Sequence, residues 1–153
     1  MFLAIDQGLS NIGLVVFDKD YNLIHKEYII TSSYDYKRFN RTRQEIFEII
    51  KEFNIKVILV EDLMIFNNKD FYGVKQAIKV TGIIQYLAED NDLLFYELPL
   101  RSIKYNNGKG NLNKEESMKI TGEINDHISD AILIFNYFKT AYLDHKTNIQ
   151  KFF

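Results

Sequence analysis

The stretch KVILVED, residues 56–62, constrains the fold more than any other part of the chain. A short, continuous apolar run closed by acidic residues reads as a strand buried on both faces, and such a strand needs a sheet with helices covering both sides. The preceding segment, 35–53, supplies one. Phe39, Ile46, Ile50 and Phe53 fall on one helical stripe there, with Lys37, Arg38, Arg41 and Arg43 largely on other faces. A helix leading into a buried strand makes that strand the parallel neighbour of an earlier one.

The earlier strands form a meander. Residues 2–8 read as a strand, Gly8 and Ser10-Asn11 as a turn, and 12–17 as a second strand. The polar connection 18–22 leads to a third strand over 23–31, mixed in pattern and nearer an edge; the tight turns make all three antiparallel. Beyond residue 62 a second helix is expected over 70–89, with Val74, Ala77, Ile78, Thr81, Ile84 and Ala88 on one stripe. LLFYELP is another buried strand, closed by Pro99, the only proline. RSIKYNNGKGNLN reads as a basic surface loop following a short helical turn, and Asn113 with Glu116 has the spacing of a capping box for a helix through Lys119. Residues 126–142 form a strongly apolar final helix. The expected architecture is α/β: a mixed five-stranded sheet, three antiparallel meander strands plus two parallel strands, flanked by helices. One domain would span 1–143, with a polar tail over 144–153.

Composition narrows the chemistry. The chain's 153 residues suit a single domain. Zero cysteines exclude disulfides, thiolate zinc sites and cysteine nucleophiles, and fit a reducing cytoplasm. No apolar run reaches membrane-span length and the N-terminus has no signal-type pattern, so no membrane partner is expected. A net charge of -2 argues against a generally basic coat but leaves room for a local patch; two bound divalent cations (-2 + 4) would turn it to +2.

Asp6 and Glu61 are the informative acids. Asp6 lies in the first strand and Glu61 ends the fourth, and if those strands are parallel neighbours their carboxyl ends bring the two side chains together, where α/β sheets bind ligands. Asp126, His127 and Asp130 begin the final helix at spacings of three and four, which put residues on one face. Clustered carboxylates repel one another unless protonated or neutralised. Hard oxygen ligands select Mg²⁺ or Mn²⁺, and two such ions about 3.5–4 Å apart are a standard device for in-line phosphodiester cleavage. Taken singly, each acid has a structural alternative: Asp6 as a turn residue, Glu61-Asp62 as a cap, Asp126 as a helix N-cap.

At these residues the sequence resembles the RuvC family of Holliday-junction resolvases, in the ribonuclease H-like superfamily. AIDQGLSNIG matches its opening strand, aspartate and small-residue turn; ILVED matches its glutamate-closed strand; GKGNLNKEE matches its glycine-containing loop; HISDAILIF matches its closing acidic helix. The resemblance runs through nearly the whole chain in order. It implies that Asp6, Glu61 and Asp130 bind metal, that His127 takes the fourth ligand position with Asp126 as its alternative, and that Lys114 contacts the scissile phosphate. It further implies two Mg²⁺ per site, replaceable by Mn²⁺, and action on four-way junctions and other branched DNA. With the two-fold symmetry of a junction, it implies a homodimer. A prokaryotic or phage-infected cytoplasm is the expected setting.

The sequence departs from the family in two places, one being the usual proline-rich start of the basic loop, reduced here to Pro99. Family members often carry an aromatic three residues after the glutamate; here that position is Met64, with Phe66, Phe71 and Tyr72 just beyond as a wedge, a stacking platform, or simply core or dimer contacts. Lys69, Lys75 and Lys79, and then Arg101, Lys104, Lys109, Lys114 and Lys119, form the expected cationic path. Gly73 and Gly82 make the second helix the candidate dimer face. In the tail, Ile149, Phe152 and Phe153 are spaced like the anchors of sliding-clamp peptides, with Lys146 where such motifs carry Gln. The competing functions are a nuclease of the same fold acting on flaps or RNA–DNA hybrids, a junction-binding protein without catalysis, and an actin-type ATPase. The last needs two related lobes and this chain has one.

Overall fold

The computed structural model describes residues 1–8, 10–31, 37–63, 71–108 and 112–144. Five strands, β1 (Phe2–Gln7), β2 (Asn11–Phe17), β3 (Leu23–Ile30), β4 (Val57–Asp62) and β5 (Leu94–Pro99), form one sheet in the order β3-β2-β1-β4-β5. β1 is central, antiparallel to β2 and parallel to β4, while β4 and β5 are parallel. β3 lies at an edge, as its mixed pattern suggested.

Side chains alternate across the pleat, so each central strand feeds two cores. Leu3, Ile5, Ile58 and Val60 pack with α1 (Arg38–Glu52) and α2 (Phe71–Asp90). Ala4, Val57 and Leu59 face the other side, against α5 (Asp126–Phe138), where the Phe17 and Phe135 rings stack at 3.6 Å. Asp6 and Glu61 continue this second parity, so both belong to the α5 face.

Several elements differ in detail from the sequence expectation. The first helix begins at Arg38, and residues 32–36 lie outside the described residues. On α2, Ile78 is 42% exposed; the buried line runs through Ala77, Val80, Thr81, Ile84, Leu87 and Ala88. The stripe therefore widens toward Val80 and Leu87 rather than toward Ile78. The basic segment after Pro99 starts with a full short helix, α3 (Leu100–Asn106). α4 (Lys114–Thr121) has the expected capping box, with Asn113 accepting from the Glu116 N–H and Glu116 accepting from the Asn113 N–H. The residue capping α5 is Asn125, whose side chain accepts from the Ile128 N–H at 3.0 Å. Asp126 is thereby released from the capping role. The last helix changes to a π-helical turn over Lys139–Leu143.

Candidate active site

The site lies where β1 and β4 end beneath the first turn of α5. Three local features place it. Gly8 turns the chain out of β1: a Cβ there would stand 2.0 Å from the Asn11 carbonyl oxygen, so no other residue fits. Gly13, the cross-strand partner of Asp6, leaves β2 bare and lets the backbone of His127 settle onto it. The α4–α5 corner is then tied down from two directions. Lys26 of β3 donates to Glu123 at 2.9 Å, and the Thr121 hydroxyl donates to Ser129 Oγ at 2.9 Å.

The acids feel one another's charge. Burial, then the charges of Asp6 and Asp130, push the Glu61 carboxyl up to about 7. Burial, then Asp6 and Asp126, push Asp130 up to about 6. Each is raised because ionising it adds charge to a poorly solvated group of like charge. Lys104 works against both shifts, which puts its ammonium within reach of the same pair.

His127 joins the cluster through Asp6. Its Nδ1 lies 2.6 Å from Asp6 Oδ2, and that bond holds the imidazole's pKa above its ordinary value. The ring stacks on Tyr28 at 5.7 Å, and the Tyr28 hydroxyl donates to Asn11 Oδ1 at 2.6 Å. Asp126 points elsewhere: Lys114 donates to its Oδ2, which holds the Asp126 carboxyl below the usual range. Lys114 is held above the usual lysine value by the same bond. A cavity of about 220 Å³ opens beside these groups, lined by Glu61, Lys104, Asn113, Lys114 and Asp130 over an apolar floor that includes Leu133.

Asp6, Glu61, His127 and Asp130 are thus brought together, with Lys104 and Lys114 at the rim and Asp126 held by Lys114. As the side chains stand, no three His, Asp or Glu groups among the described residues are close enough to share one ion. Asp6 gives one carboxylate oxygen to His127 instead. The chemistry of the donor set nonetheless suits a hard divalent cation: buried carboxylates whose mutual repulsion only added positive charge would relieve.

Of the proposed DNA contacts, Phe71, Lys75, Lys79 and Arg101 are exposed, with Lys75 over the Phe71 ring and Arg101 over the exposed Tyr105. Phe66, Lys69 and Lys109 lie outside the described residues, as do Lys146, Ile149, Phe152 and Phe153 of the tail. Arg38 is more than a solvated charge, since it donates to Gln76 of α2 at 3.1 Å. Sequence reasoning missed Gly13, Tyr28, Tyr105 and Gln7. Only Tyr105 carried a local signal, four residues from Arg101 on a helix.

No protein-family model matches the chain, and no curated protein sequence matches it. Solved structures do. Thermus thermophilus RuvC matches at a TM-score of 0.67 and 22% identity, covering 92% of this chain and 95% of that one. The same protein in complex with a Holliday junction substrate matches at 0.69 and 19% identity, with the same coverage. The yeast mitochondrial Holliday junction resolvase matches at 0.53 and 18% identity, over 98% of this chain and 84% of its own. The chain therefore has the ribonuclease H-like fold of RuvC.

Proposed function

We propose that this RuvC-like chain is a Mg²⁺-dependent, structure-selective endodeoxyribonuclease that cuts four-way DNA junctions in recombination, repair or phage DNA processing. The observation that carries the reading is the convergence of Asp6, Glu61 and Asp130 at the carboxyl edge of two parallel strands, close enough for Asp6 and Asp130 to raise Glu61. The solved structures of the same fold named above are resolvases, one of them bound to a junction.

Asp6, Glu61 and Asp130 would hold the metal, and His127 would either complete the set or orient Asp6. Bound there, divalent cations supply the activated water and the charge stabilisation that phosphodiester hydrolysis needs. Lys104 and Lys114 stand at the mouth of the site, where ammonium groups can anchor a phosphate and offset charge developing on it. Lys114 is largely exposed and is held by Asp126 among the described residues. Lys75, Lys79 and Arg101 would track the phosphates of the duplex arms.

Paired cuts on a near-symmetric junction require two copies of the site. The exposed face of α2, with Phe71, Tyr72, Ile78 and Tyr86, is apolar enough to make an isologous dimer contact. Sedimentation at working concentrations tests it, and an active monomer would remove the dimer.

The deciding experiment is cleavage of a labelled four-way junction beside linear duplex, flap and RNA–DNA hybrid, with Mg²⁺, Mn²⁺ or EDTA. Symmetric paired nicks on the junction are expected. EDTA should abolish them, and Asp6→Asn should reduce them at least about 100-fold while junction binding persists. Cleavage of flaps or hybrids in preference would keep the metal site and change the substrate. Binding without any cleavage would overturn the nuclease reading.

A further inference from the structure

β1 and β4 stop pairing one step before the site begins. Their parallel ladder runs from Phe2↔Val57 to Ile5↔Val60 and ends there. The chain turns immediately afterwards, with the Gly8 N–H donating to the Asp6 carbonyl at 3.1 Å. Glu61 would be left with backbone groups unpaired at the point where its carboxylate must be placed most firmly. A single side chain meets both. The Glu61 N–H donates to Gln7 Oε1 at 3.2 Å, and Gln7 Nε2 donates to the Glu61 carbonyl.

A primary amide carries an acceptor and a donor side by side, as a peptide unit does. Gln7 is 2% exposed, so neither its own groups nor the bonds it makes can be exchanged cheaply for water. The nearest alternatives do not reproduce it. Asn is one methylene too short, an ionised Glu accepts but cannot donate, and Met fills the volume with neither function.

We infer that Gln7 is a positioning residue for the metal site: its amide extends the β1–β4 ladder by one peptide and so holds Glu61 in the register that sets its carboxylate beside Asp6. Gln7 touches no substrate and acts only through Glu61. The inference rests on the metal-site reading above. It adds that the ladder's side-chain extension, and not the strand pairing alone, fixes the distance between the two central carboxylates.

The test uses the full chain and the variants Gln7→Met and Gln7→Asn, held well below their melting temperatures. Three quantities are read: amide hydrogen exchange at Glu61 against Leu59, Mn²⁺ affinity by calorimetry, and junction affinity in EDTA. Both variants should speed exchange at Glu61 about tenfold or more and leave Leu59 protected. Both should weaken Mn²⁺ binding about 10–100-fold, the range seen when a group supporting a metal ligand is removed. Junction affinity in EDTA should stay within about twofold. A purely structural role would lower the melting temperature and leave Mn²⁺ affinity intact, so affinity within about twofold in either folded variant overturns the inference. If Gln7→Met does not fold, Gln7→Asn decides alone, since it keeps a buried polar group in place. If the wild-type chain takes up no Mn²⁺, the metal site itself falls and this inference falls with it.

Discussion

Gly13 lies directly beneath the backbone of His127: a Cβ on it would stand 2.1 Å from the His127 carbonyl oxygen and 2.8 Å from the Ile128 nitrogen. The obstructing atoms are main chain, so α5 as a whole would have to lift. Gly13→Ala should therefore destabilise the protein by about 1–3 kcal/mol in urea titration, as overpacking does. It should also cut junction cleavage about tenfold or more, because His127 and Asp130 would move off Asp6 and Glu61. An alanine variant equal to wild type in both measurements would mean that α5 is free to shift.

The raised carboxyls give a signed pH dependence. Glu61 and Asp130 have folded pKa values of about 7 and about 6, both above their unfolded values of 4.5 and 3.8. The folded state thus holds protons that the unfolded state has already lost. Stability from this source is fully present below the unfolded values and is lost as pH rises through the folded ones. Without metal, thermal stability should decline from about pH 4 to about pH 7. Mg²⁺ should raise the melting temperature more at pH 8 than at pH 5.5, where protons compete for the same oxygens. A Mg²⁺ increment that is larger at the lower pH would falsify the shared site.

Asp126 and His127 should separate cleanly. Lys114 already holds Asp126, whereas His127 is bonded to Asp6. Asp126→Asn should leave Mn²⁺ affinity within about twofold and lower cleavage through the loosened Lys114. His127→Ala should change Mn²⁺ affinity by about tenfold or more, in the range expected for a ligand or its immediate support. Calorimetry on the two variants reads this directly, and the reverse ranking would make Asp126 the ligand.

Junction affinity should fall steeply with salt, with a log–log slope near -0.9 for each phosphate contact on duplex arms. Replacing Lys75, Lys79 or Arg101 singly by Gln should flatten the slope by about 0.9 each. Titrations at several salt concentrations measure it. A slope unmoved by all three changes would place the DNA on another face.

The strands and the acids near their ends were readable because those signals are local, although LLFYELP, read as buried, is the largely exposed edge strand β5. A run such as VILVED shows its burial and its terminal carboxylate together, and Asn113 shows its cap through Glu116 three residues away. Gln7 and Gly13 were not readable. The partners of Gln7 are backbone atoms of residue 61, and the reason for Gly13 is the backbone of residue 127. Nothing within a few residues of either one signals the need. The start of α5 fell at Asp126 as expected, while its cap was open: Asn125 and Asp126 are both good caps, and sequence alone does not rank neighbours of that kind.

The three central carboxylates come from residues 6, 61 and 130, which are neighbours in space and remote along the chain. The β1–β3 meander closes through short turns, but β1 can pair with β4 only across a long intervening segment, and α5 follows later still. Contacts of such span carry the largest loop-closure cost. The cluster is complete only with the last helix docked, since that helix carries Asp130. The site is therefore a property of the finished fold, and no fragment short of the last helix can contain it.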